Sequence, residues 1–337
     1  MKAFLANTVF LLGCAPLLAS INGTVLNGTT GKDQAAAQVN LMQPGGQGMQ
    51  VLAKTETDAS GRFVFNQARP MGPILLQVQY KGVHYDKLLT PNVPVSNVQL
   101  KIYESTKSPS VAHVVQRMLI FDANTSRIGV EEMAIIENQS KQTYNNRSLG
   151  ALRFFLPPAA NGQVQVSVQD ASGMPLPRPA EKTATEHVFR VDFPIKPGQT
   201  EINVNYTLPV GSPFTYRGRV VGVKGMPAGP LRLVAPLGIT LAGSDIQELG
   251  IEPTTQAAIY NVKGNGNFSL EITGTGSMRQ DANADTSDEP GYVPGNPPIY
   301  KHRSLLLGLA LAILGLGAVV LYRTSPRNAE SRSSGRG

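Results

Sequence analysis

Three histidines, His84, His113 and His187, are the residues between Ser20 and Tyr300 best suited to moving protons near neutral pH. None stands in an H-x-H or H-E-x-x-H spacing, the kind that brings two imidazoles to one metal ion. Glu186-His187 opens an alternating stretch, so His187 is expected on the solvent side of a strand. Glu131-Glu132 offers two carboxylates, but consecutive strand residues point to opposite faces and cannot share one substrate. There is no G-x-S-x-G elbow for a serine nucleophile and no glycine-rich loop to cradle a phosphate. Asp58, in the run TDASGRFVF, lacks the alternating acids of a calcium loop. Tyr80, His84, Tyr85 and Asp86, in the run YKGVHYDK, form a polar aromatic group expected on a strand-and-loop edge. They are the chain's candidate binding edge. With so little chemistry on offer, the expectation is a protein that is not an enzyme and holds no cofactor and no metal.

Those side chains need elements to carry them, and the dominant pattern is alternation with a period of two. Val98, Leu100 and Ile102 share one parity, as do Leu76, Val78 and Tyr80, and Val164, Val166 and Val168. Phe189, Val191 and Phe193 repeat it, followed by Ile202, Val204 and Tyr206, and by Phe268, Leu270 and Ile272. Half-buried strands of this kind predict an all-β fold of antiparallel sheets packed face to face. The expected organisation is one β-sandwich over 20–104 and a second over 110–273. The alternative is a split of the second into two smaller domains at the cluster of Gly and Pro between Pro209 and Gly229. Gly264-Asn265-Gly266-Asn267 is expected to turn a hairpin before the strand FSLEITG.

The stretch TDASGRFVF has the chemistry of a tight turn. Asp58 can accept backbone N–H groups ahead of it, and Gly61 can take a positive φ. Phe63 and Phe65 should then face a core, with Arg62 and Val64 on the other side. The order Gly23-x-Val25, loop, Val39-x-Leu41, Thr57-Asp58-x-x-Gly61-x-Phe63-x-Phe65, then a strand ending Tyr80-Lys81-Gly82, resembles the carboxypeptidase regulatory-like, or transthyretin-like, domain. The resemblance covers 20–104. It implies a seven-stranded Greek-key sandwich serving as an accessory module, with no catalytic residue to carry over. It also suggests a setting at the N-terminus of a bacterial membrane-anchored envelope protein.

The two ends speak of location. MKAFLANTVFLLGCAPLLAS has one Lys, an apolar run and then small residues, as a secretory signal peptide does over 1–19. Cys14 is the chain's one cysteine and falls inside it, so the exported body has no disulfide and no thiolate metal site. Leu11-Leu12-Gly13-Cys14 resembles a lipidation signal, although cleavage after Ala19 or Ser20 is the favoured reading. Residues 274–303 lack periodicity and are rich in acids, Pro and Gly, as a flexible stalk is. Ser304 to Tyr322 runs 19 residues without a charge. At 1.5 Å per residue that is about 28 Å, enough to span a bilayer as a helix. The basic residues Arg323, Arg327, Arg332 and Arg336 come after it and set the tail 323–337 in the cytoplasm, with the body exported.

Of the formal net charge of +7, all but one unit resides in these ends. Between Ser20 and Tyr300 there are 23 Lys and Arg against 22 Asp and Glu, so no nucleic-acid partner is expected. The expected partners are membrane lipid around the C-terminal span and an envelope protein bound at sheet edges or loops. Glycan or peptidoglycan is the alternative ligand, disfavoured by the absence of Trp. An enzyme of unrecognised type is the third reading.

Overall fold

β-branched and aromatic residues at alternating positions, broken by Gly, Pro and Asn, leave this chain little alternative to short strands. The computed structural model describes residues 20–278, apart from Gln47, 210–213, Ala228 and Asn265. The expected signal peptide 1–19, the expected stalk from 279 on, the apolar run 304–322 and the tail with Arg323, Arg327, Arg332 and Arg336 lie outside the described residues. Among the described residues no helix is long and apolar enough to cross a membrane. Every regular element there is a strand, save two single 3-10 turns at Pro109–Val111 and Pro158–Ala160.

The chain divides into two compact units between Ser105 and Thr106. The first holds β1 (Ile21–Asn27), β2 (Lys32–Asp33), β3 (Gln38–Gly45), β4 (Gly48–Glu56), β5 (Arg62–Phe65), β6 (Ile74–Tyr80), β7 (Val83–Leu89) and β8 (Val98–Ile102). β9 (Glu104–Thr106) spans the division. One sheet centres on β1, with β2 and β5 antiparallel to its two halves and β8 parallel to it. The other runs β4-β3-β6-β7, all antiparallel. Ile21, Val25, Phe63, Leu100 and Ile102 from the first sheet meet Val39, Leu41, Leu76, Val78 and Tyr85 from the second in one core. The parallel β1–β8 pair departs from the all-antiparallel expectation. Gly23 permits it, because a Cβ there would lie 1.9 Å from the Val98 carbonyl oxygen.

The TDASGRFVF turn closes through its aspartate. Asp58 Oδ1 accepts the N–H groups of Ser60 at 2.8 Å and Arg62 at 2.9 Å, while Gly61 sits at φ +68°. Phe63 and Phe65 are buried and Val64 is exposed.

The second unit begins with β10 (His113–Ala123), β11 (Arg127–Asn138), β12 (Gln142–Tyr144), β13 (Leu152–Phe155), β14 (Gln165–Gln169), β15 (Pro175–Arg178), β16 (Glu181–Lys182) and β17 (Val188–Val191). It continues with β18 (Gly198–Pro209), β19 (Phe214–Arg219), β20 (Leu231–Ala235), β21 (Ile239–Ala242), β22 (Ile246–Ile251), β23 (Ala258–Val262) and β24 (Asn267–Gly274). Eight strands lie in the order β15-β14-β18-β11-β10-β20-β23-β22, with β10–β20 the parallel pair. Two three-stranded sheets, β13-β17-β16 and β19-β24-β21, supply the opposing wall of the core. Phe121, Val130, Val204 and Leu233 of the large sheet share that core with Phe154, Val191, Tyr216 and Phe268.

Two sequence expectations change here. Gly264–Asn267 does not close a hairpin, because both edges of β23 are already taken by β20 and β22. The chain crosses instead to the other wall, where β24 pairs with β19 and β21. Nor does a loose stalk begin at Gly274. Gly276 exchanges two backbone hydrogen bonds of 2.9 Å with Ala123, and Met278 N donates to Asp122 Oδ1 at 3.0 Å. The glycines that suggested a linker serve close approach of backbones. A Cβ on Gly274 would stand 2.0 Å from the Gly238 carbonyl oxygen, and one on Gly276 2.2 Å from that of Leu237.

Candidate functional site

The β6–β7 hairpin separates the four residues expected to form a binding edge. Its register pairs Tyr80 with Val83, Gln79 with His84, Val78 with Tyr85 and Gln77 with Asp86. Alternation then sends Tyr80 and Tyr85 to the core side, and His84 and Asp86 to the outer side. Tyr85 is buried and donates to the Tyr103 carbonyl at 2.9 Å, while Asp86 accepts from Gln77 Nε2 at 2.8 Å. The four do not form one surface, because adjacent strand residues cannot.

Tyr80 instead joins a network that the sequence did not announce, since its centre, Glu104, lies 24 residues away. Glu104 accepts from Lys81 Nζ, from Tyr80 Oη at 2.7 Å and from Asn27 Nδ2 at 2.9 Å. These three donors, Lys81 foremost, hold its carboxyl at about 2, well under the ordinary 4.5. A depressed carboxylate pKa stabilises the fold above the unfolded value and loses that contribution as pH falls through the folded one. The first unit should therefore lose stability between pH 4.5 and about 2, and Glu104→Gln should flatten that limb. Unfolding midpoints at pH 5 and pH 2.5 check it, and equal acid losses in both proteins would refute it.

The remaining titratable groups stand apart. His187 is exposed beside Glu186, as expected, but it takes φ +58° in the turn before β17 instead of a strand position. Its Nε2 lies 3.3 Å from Glu186. His113 pairs with Glu137 at 3.5 Å. Among the described residues no three His, Cys, Asp or Glu side chains gather as a metal-ligand set.

Glu131 and Glu132 do face opposite ways, and each belongs to a different feature. Glu132 is buried against Arg117, whose Nε donates to its Oε1 at 2.7 Å. The guanidinium also donates to the Val221 carbonyl and, at 3.1 Å, to that of Arg153. A bulge between Val114 and Gln116 shifts the parity of β10, and this turns Arg117 inward beside Leu119 and Phe121. Burial pushes the Glu132 carboxyl up, against the pull of Arg117. It likewise raises the buried Tyr206 and Tyr216 phenols, whose oxygens stand 2.9 Å apart.

Glu131 lines a hollow of about 510 Å³ on the other face of the large sheet. Ladder register explains the arrangement. One row reads Ile120, Glu131, Asn205, Gln165 across β10, β11, β18 and β14, and the next reads Asp122, Gly129, Thr207. Rows two residues apart share a face. Gly129 leaves the middle of the floor without a side chain, and a Cβ there would meet nothing nearer than 3.6 Å. Gln163 and Val164 close one side, and Gly276 and Ser277 another.

Edges form the third feature. β15, at one margin of the large sheet, carries Pro175 and Pro177, which cannot donate to an added strand. β22, at the other, is bulged between Glu248 and Gly250. β4, at the margin of the β4-β3-β6-β7 sheet, runs nine residues, GMQVLAKTE, without proline. Met49, Val51 and Leu52 stand exposed on it, and a bulge sets Leu52 apart. The opposite margin, β7, has Lys87 Nζ tied to the Gln99 carbonyl of β8 at 3.2 Å.

No protein-family model matches this chain, and comparison with curated proteins finds no relative.

Proposed function

We propose that the chain is a non-catalytic envelope protein, exported and held to the membrane by residues 304–322. In this reading the first unit is a carboxypeptidase regulatory-like module that offers β4 to an extended segment of a partner protein. The observation that carries it is β4 itself: a nine-residue margin with an uncharged run from Gly48 to Ala53 and three exposed apolar side chains. Unpaired amides and carbonyls on such a margin template a further strand, and side-chain contacts then set which segment is accepted. The bulge at Leu52 breaks the straight ladder, which discourages indiscriminate pairing and favours a segment that accommodates it. Lys54 and Glu56 ask for an acid and a base at the end of that segment.

The test places a photo-crosslinking residue at Gln50 of the full chain in its native membrane. A single protein adduct is expected, weakened about tenfold in Val51→Lys/Leu52→Lys, where like surface changes shift stability by only about 0.5 kcal/mol. An adduct indifferent to both lysines, or no protein adduct, would refute the reading.

A further inference from the structure

We infer that the hollow on the outer face of the eight-stranded sheet is a binding site for a neutral saccharide. It lies in the second unit and is independent of the β4 reading.

The floor consists of β10, β11, β18 and β14, each flanked on both sides within the sheet. The ladder groups of β11 and β18, the middle of the floor, are spent on their neighbours, so a peptide cannot add a strand there. Recognition has to come from side chains. Gln163, Gln165 and Asn205 present amides and Thr207 a hydroxyl, and among the described residues no side-chain hydrogen bond engages any of the four. Each amide carries both donors and an acceptor, and so does each hydroxyl of a sugar in smaller number. A pair of amides held across neighbouring strands can therefore bridge adjacent hydroxyls of a pyranose. Asn205 and Gln165 are such a pair, directly opposite in register.

The charges argue for neutrality. Asp122 and Glu131 outnumber Arg127 on the lining and would repel an anion, and both acids already have protein partners, so neither waits for a cation. Val130, Val164 and Ala123 are the apolar lining residues, too small a set to anchor an apolar side chain. The volume falls in the range of small-molecule sites. Tyr206 borders the hollow, but its buried hydroxyl pairs with Tyr216, so its ring offers no stacking platform. Recognition must then rest on hydroxyl pattern alone.

The full chain, in micelles of a detergent without a sugar headgroup, is exposed to maltotriose, cellotriose and chitotriose and read by saturation-transfer NMR. Transfer to at least one trisaccharide is expected. Gln165→Leu/Asn205→Leu should weaken it at least about tenfold, since both bridging amides are lost. Gly129→Val should abolish it by filling the floor, although it removes no polar group and suits a strand. Circular dichroism and thermal unfolding should match the parent in both, and if one variant fails to fold the other decides. Silence from all three sugars, or transfer that both variants leave unchanged, would overturn the assignment. Transfer to a Ser/Thr-rich octapeptide and to no sugar would overturn it as well.

Discussion

Arg117→Met will cost the second unit about 3–5 kcal/mol, because it leaves the Glu132 carboxyl in a core with no counter-charge, where it must hold a proton or stay an unpaired charge. The pair is enclosed by the β10–β11 ladder below and by carbonyls of Val221 and Arg153 above, so no solvent path relieves the loss. Glu132→Leu in the same background should recover much of the deficit, since it removes the stranded carboxyl, although the Val221 and Arg153 carbonyls still lack the donor they had in Arg117. The sign with pH is fixed by the direction of the shift. Burial holds the Glu132 carboxyl above its ordinary 4.5, so the folded single variant keeps a proton that the unfolded chain gives up. Stability then falls as pH rises past 4.5, and the deficit will be larger at pH 8 than at pH 5. Urea unfolding of both variants at those two pH values checks it. A neutral Arg117→Met, or a deficit that shrinks toward pH 8, would show that the pair is not the internal clamp described.

Gly23→Ala will destabilise the first unit by about 3 kcal/mol, the upper end of overpacking costs. One methyl group would have to occupy space 1.9 Å from the Val98 carbonyl oxygen and 2.8 Å from the Phe63 ring. Neither neighbour can yield cheaply. Val98 opens the parallel pairing of β8 with β1, and Phe63 is among the largest fully buried side chains. The damage should appear as a lower unfolding midpoint for the first unit, with the second unit unchanged. Gly31→Ala is the control. A Cβ there meets nothing within 4 Å, although φ +72° adds its own smaller strain.

Gly23 also shows where sequence reading stops. Its place in the strand Ile21–Asn27 can be read from alternation, but the reason for a glycine lies in β8, some 75 residues on. The same holds for Gly274 and Gly276, which read as linker residues because close approach of two backbones leaves no mark in local composition. The all-β character was legible, since a period of two is written along each strand and needs no distant partner. The turn at Asp58 and Gly61 was legible for the same reason. Pairing across distance was not: Glu104 gathers Asn27 and Tyr80, and the hollow assembles Asp122, Glu131, Gln165 and Asn205 from four strands. The expected strand-and-loop edge at Tyr80, His84, Tyr85 and Asp86 is the β6–β7 hairpin at a sheet margin, but the four side chains divide between two faces, since neighbours in a strand alternate. β4 was passed over because its run of Met49, Val51 and Leu52 has no period to attract notice.

Amide hydrogen exchange across β4 in the full chain, compared between its native membrane and the purified protein, decides whether this margin is the binding surface. A strand supplied by a partner protects the outward amides of Gly48–Glu56 in the membrane, and purification exposes them, while β3 exchanges alike in both. Equal exchange of β4 in the two settings would contradict the claim that the protein binds there.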